Sequence, residues 1–82
     1  MSESIEQAVR EFLKAELRVD ESELAADRSL VRTGLVDSAD LVLLATFLER
    51  EFGIEVPDEH IDAEHLDSIA DVAGYVVARR GS

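Results

Sequence analysis

The sequence predicts an all-α fold, a small bundle of three principal helices and one short helix, with a long loop after the first helix. Three observations predict it. Apolar residues recur at helical spacing in three separate segments, capping patterns led by Asp37 and Ser68 mark helix starts, and apolar and polar residues alternate nowhere over a useful length. At 82 residues the chain is long enough for one domain, residues 1–82, and too short for a second.

Residues 4–17 place Ile5, Ala8, Val9, Phe12, Leu13 and Leu17 on one helical face, with Ser4 and Gln7 spaced as a capping box. From residue 18 to 36 the periodicity fails, yet Leu24, Leu30, Val31, Leu35 and Val36 recur. A loop this long is usually functional or pinned by its own apolar residues, so Leu24, Leu30 and Leu35 are expected to plug into the core. Gly34 supplies a turn before the next element.

The second helix has a strong start signal. Asp37 is its N-cap, Asp40 follows three residues later, and Val36 and Leu41 occupy the hydrophobic-staple positions. It should run to about Phe52, with Gly53 as a left-handed stop. Residues 54–57 read as a short extended link, because the residue before Pro57 avoids the helical region. Residues 58–65 offer one or two helical turns carrying Ile61, with Leu66 following. Ser68 and Asp71 form another capping box, opening a last helix to Arg79 whose apolar stripe is Ile69, Val72, Ala73, Val76 and Val77. Gly81 and Ser82 are expected to fray.

Charge narrows the function. Nineteen acids face eight bases, a net charge of -11, which argues against nucleic acid and anionic membrane surfaces and favours partners with basic patches. The acidity is concentrated: residues 37–67 hold ten acids against the single base Arg50. There is no cysteine, hence no disulfide framework and no thiolate metal site. A chain this short buries only about 60% of its unfolded surface, leaving little room to enclose a deep substrate pocket, so a self-sufficient enzyme is not expected. The first residues lack the basic flank and apolar run of a signal peptide, and no stretch of about 18 apolar residues occurs, so a cytoplasmic monomer is expected.

The second helix is more apolar than a surface helix needs to be. Leu41, Ala45, Leu48 and Phe52 make a tight core stripe flanked by Leu44 and Val42, while Ala39, Leu43, Thr46, Phe47 and Arg50 fall on the other side. Either the long loop or the short third helix covers this second face, or it is a docking face rimmed by acids.

These features meet in Gly34-Leu35-Val36-Asp37-Ser38-Ala39-Asp40, followed by Phe52-Gly53-Ile54-Glu55-Val56-Pro57-Asp58-Glu59. A lone Asp-Ser pair carries no weight, and Asp67-Ser68 reads only as a cap. In combination with the second segment at that distance, the chain resembles the acyl carrier proteins over nearly its whole length. The resemblance implies a protein without chemistry of its own. In that family a phosphopantetheinyl transferase moves 4′-phosphopantetheine from coenzyme A onto the motif serine, here Ser38, and the new thiol carries an acyl or aminoacyl group as a thioester. The motif aspartate, here Asp37, supports the transfer by helping to hold magnesium, and it contacts partners.

The physical logic agrees with the resemblance. A serine modified by another enzyme should stand at the end of an element, and a helix N-terminus favours the phosphodiester's negative charge. No His or Lys in the motif can activate Ser38, so the base must belong to the modifying enzyme. The resemblance further implies docking through the second helix, here Ala39, Leu43, Thr46, Phe47 and Arg50 framed by Asp37, Asp40, Glu51 and Glu55. The implied partners are the transferase, an acyl- or aminoacyl-loading ligase or acyltransferase, and a ketosynthase or other thioester-using enzyme. Three positions depart from the fatty-acid-synthesis pattern: Ala39 stands where a large residue usually follows the serine, Leu43 where an acid is common, and Arg50 within the acidic run. They point to a carrier with dedicated partners in polyketide, nonribosomal-peptide or other specialised biosynthesis, with housekeeping fatty-acid synthesis as the alternative. The absence of a linker or flanking domain in these 82 residues leads to the expectation of a discrete carrier acting in trans.

Two other classes compete. An unmodified acidic helical adaptor would use the same second helix to bind a basic protein and leave Ser38 dispensable. A metal protein would use Asp58, Glu59, His60, Asp62, Glu64 and His65. His60 and His65 are five apart, a poor spacing for one helical face, and no calcium-loop pattern is present, so they are expected to be surface histidines.

Overall fold

A computed structural model describes residues 2–81. Its elements are α1 (Ser2–Glu16), a 3-10 turn (Glu21–Glu23), α2 (Ser38–Phe52), a second 3-10 turn (Asp58–His60), the one-turn α3 (Ala63–Leu66) and α4 (Ile69–Arg80). The described residues form no strand, and the all-α class with three long helices and one short one is what the sequence predicts. No helix among them is long and apolar enough to cross a membrane.

The hub is α4. It packs along α1 and also touches α2 and α3, whereas the backbones of α1 and α2 barely meet. Its Ile69, Val72 and Val76 are fully buried, together with Val9 and Leu13 of α1, Leu44 and Leu48 of α2, and Leu66 of α3. Each such side chain contributes about 1.5–3 kcal/mol by leaving water. This packing holds the domain together in the absence of disulfides.

Helix ends follow local chemistry, with three corrections. The N-terminal correction is that α1 begins at Ser2, so Ser4 is inside the helix and caps nothing. Gln7 instead donates from Nε2 to Glu11 Oε2 at 2.8 Å, the next turn being closer than a backward reach. At its other end the chain turns through Arg18, whose φ of 58° is left-handed, and the Val19 N–H donates to the Leu13 carbonyl at 3.0 Å. Gly53 stops α2 as expected, with φ 67°. Gly81 does not fray: its N–H donates to the Val77 carbonyl at 2.9 Å, and Ser82 lies outside the described residues. Ser68 caps α4 by accepting from the Asp71 N–H at 3.0 Å, which is half of the expected box.

The long loop is pinned, but not wholly by the residues expected. Leu24 and Leu30 enter the core, while Leu35 stays half-buried and Val36 and Val19 take the inner places. Polar bonds complete the pinning. Arg10 Nε donates to the Leu24 carbonyl at 3.2 Å, and the Ala70 N–H at the start of α4 donates to the Ala26 carbonyl at 2.9 Å. Asp67 does most. Its carbonyl accepts from the Leu30 N–H at 2.6 Å, and its Oδ1 accepts from Ser29 Oγ at 2.7 Å and from the Val31 N–H at 3.2 Å. The residue that the sequence reads only as part of a cap is therefore the clamp between loop and bundle.

Candidate functional site

The loop delivers the chain to α2 through a second left-handed glycine. Gly34 has φ 79°, and beyond it the Val36 N–H donates to the Leu30 carbonyl at 3.1 Å, which seats Val36 in the core. Asp37 follows in an extended conformation as N-cap. Its Oδ1 accepts from the Asp40 N–H at 2.9 Å, and its own N–H donates to Asp40 Oδ2 at 3.1 Å, the reciprocal box the spacing predicts. Leu41 and Val36, the staple pair, are both buried.

Ser38 is the first residue of α2 and is exposed. Among the described residues nothing hydrogen-bonds its hydroxyl. The box uses the N–H groups of Asp37 and Asp40, which leaves those of Ser38 and Ala39 free for an incoming acceptor. The arrangement therefore presents a nucleophile without a base, beside two open amides that suit a phosphodiester. The carboxylates of Asp37 and Asp40 stand at the same helix end, joined through the reciprocal box. An exposed, unpartnered serine of this kind fits a covalently attached phosphate ester.

The candidate partner residues lie where the helical spacing puts them, with one difference. Ala39, Leu43, Thr46, Arg50, Glu51 and Glu55 are exposed, Leu43 by 53%. Val42, read as a flank of the core, is also 51% exposed. Asp40 is half-buried, and Thr46 bonds back to the Val42 carbonyl through Oγ1 at 3.0 Å. Phe47 is the difference. It is half-buried, stacked on Phe12 of α1 with ring centroids 4.6 Å apart and edge-on to Phe52 at 6.3 Å. The cover for this part of the second face is neither the long loop nor the short third helix but α1, and it stops short of Leu43.

The two histidines are partly exposed at the surface, but they share one face despite their spacing. The chain bends between the second 3-10 turn and α3, which overrides the spacing, and stacks His60 on His65 with centroids 4.4 Å apart. His60 Nδ1 lies 2.7 Å from Tyr75 Oη, and His65 Nδ1 lies 2.8 Å from Asp62 Oδ1. The His65 hydrogen bond holds the Asp62 carboxyl below its ordinary range, and burial raises the Tyr75 phenol. Among the described residues no group of three or more His, Cys, Asp and Glu side chains is arranged to hold a metal ion. No signal in the spacing foretold this cluster, because the bend between the two turns is a tertiary decision.

Residues 7–76 match a family model described as the phosphopantetheine attachment site. The chain is 40% identical over 78 residues to an acyl carrier protein of Akkermansia muciniphila, covering 95% of each. It is 37% identical over 73 residues to an acyl carrier protein of Bdellovibrio bacteriovorus, covering 89% of this chain and 91% of that one.

Proposed function

The chain belongs to the acyl carrier protein family and carries 4′-phosphopantetheine covalently, and from that premise we propose that Ser38 is the attachment residue and Asp37 the residue that supports its loading. The observation that carries this reading is the exposed Ser38 hydroxyl at the first position of α2, unpartnered among the described residues and framed by a complete capping box. When bound, the group supplies the thiol that a chain without cysteine lacks, and holds an acyl or aminoacyl group as a thioester. The protein's own residues do the rest. Asp37 and Asp40 fix the helix start so that Ser38 stands clear of the bundle. The free Ser38 and Ala39 amides offset the phosphodiester charge, and the Asp37 carboxylate helps to hold the cation that accompanies transfer.

The partners are a phosphopantetheinyl transferase and enzymes that make or use acyl thioesters. Asp37, Ala39, Asp40, Leu43, Thr46, Phe47, Arg50, Glu51 and Glu55 form the surface they read, and its acidity favours fast, reversible encounters. The exposed Leu43 and the base at Arg50 favour a dedicated set of partners in polyketide, nonribosomal-peptide or other specialised biosynthesis. The test is intact mass. Co-expression with a permissive transferase should add one phosphopantetheinyl group to the wild type and none to Ser38→Ala; an unmodified wild type would refute the reading. Mass spectrometry of the carrier from its native host would name the cargo and hence the pathway.

A further inference from the structure

Because the α1 and α2 backbones barely meet, an open groove of about 700 Å³ runs between them, away from the attachment end of α2. Its floor is apolar. The stacked Phe12 and Phe47 bridge the gap, and the exposed Leu43 extends it toward the start of α2. On α1, Ala8 and Ala15 lie one turn to either side of Phe12, on the same face, so the wall recedes above and below the aromatic pair. The rim carries Glu11, Glu16 and Glu51 against the single base Arg50. Lys14 offsets Glu11 only in part: its Nζ lies 4.0 Å from Glu11 and is held more closely, at 2.6 Å, by Glu21.

We infer that this α1–α2 groove is a docking site for a cationic amphipathic helix of a partner enzyme, which seats a large apolar side chain on Phe12, Phe47 and Leu43 between lysines or arginines that face Glu11, Glu16 and Glu51. The inference rests on the carrier reading for the partner being a thioester-handling enzyme, and it adds α1 as a second wall to a surface otherwise confined to α2. Complementarity selects this occupant. An apolar floor inside an acidic rim repels an acidic helix, another copy of this chain with its net charge of -11 included, and gives a purely polar one nothing to bury.

The test is a titration of the isotope-labelled protein with a short helical peptide whose leucines and lysines lie on opposite faces, followed by NMR, with a scrambled peptide of the same composition as control. Shifts should centre on Ala8, Ala15, Leu43 and Phe47. Ala15→Arg, which places a like charge in the groove, should weaken binding roughly ten-fold while leaving the melting temperature unchanged. Shifts spread over the acids of residues 37–67 other than Glu51, equal binding of the scrambled peptide, or an unaffected Ala15→Arg protein would overturn the inference. Should Ala15→Arg fail to fold, Leu43→Asp makes the same comparison from the other wall, with weaker apolar seating as the expected loss. Failure of the carrier reading is read separately, as the absence of the phosphopantetheinyl mass gain on wild type.

Discussion

Replacing Asp67 by alanine should lower stability by about 2 kcal/mol, even though the residue lies in neither the core nor the candidate site. The figure follows from its contacts. Oδ1 accepts from Ser29 Oγ at 2.7 Å and from the Val31 N–H at 3.2 Å, and the same Ser29 Oγ accepts from the Arg32 N–H at 3.0 Å. Hydrogen bonds to a charged acceptor are worth about 1.5–3 kcal/mol each when shielded. Asp67 is half-buried and one bond is long, so each is counted below that range, at the ordinary net value of about 1 kcal/mol. Unfolding entropy of about 2.1 cal/mol/K per residue turns 2 kcal/mol into a fall of about 12 °C in melting temperature for a chain of this size. Asp67→Asn keeps an acceptor in place and should lose about half as much. Thermal unfolding followed by circular dichroism at fixed pH and salt reads all three proteins. A cycle with Ser29→Ala should give a coupling above about 0.5 kcal/mol. An Asp67→Ala protein melting within about 2 °C of wild type, or a coupling near zero, would refute the idea that this carboxylate clamps the loop.

Two further predictions concern backbone conformation and pH. Gly53 and Arg18 both sit in the left-handed region, and a Cβ at Gly53 would meet nothing within 4 Å, so Gly53→Ala should cost only the conformational penalty, about 1 kcal/mol. Arg18→Gly should move the other way by up to about 1 kcal/mol; melting shifts of the same sign would contradict the assignment. The His65 hydrogen bond depresses the Asp62 carboxyl in the folded state, so its stabilisation is fully present above the ordinary value of 3.8 and is lost as pH falls through the folded value. Asp62→Asn should therefore lose melting temperature at pH 7 but converge with wild type at the acid end; a constant gap across that range would exclude the linkage.

What the sequence by itself determined is local. Asp37 and Asp40 three residues apart, Gly53 at the end of an apolar run and Ser68 before Asp71 set helix starts and stops, because caps and left-handed glycines act through a few neighbouring backbone groups. The same locality put Ser38 at an exposed helix start, and the core stripe of Leu41, Ala45 and Leu48 followed from a period of 3.6 residues. What only the tertiary structure decided depends on residues distant in the chain. That Asp67 reaches Ser29 and Val31, that Val36 rather than Leu35 turns inward, that His60 stacks on His65, and that Phe12 covers Phe47 while leaving Leu43 open are outcomes of how α1, α2 and the loop pack against α4. A helical period reports which side chains share a face; it holds no information about which neighbour will cover that face, because that is settled by the competition of all elements for one core.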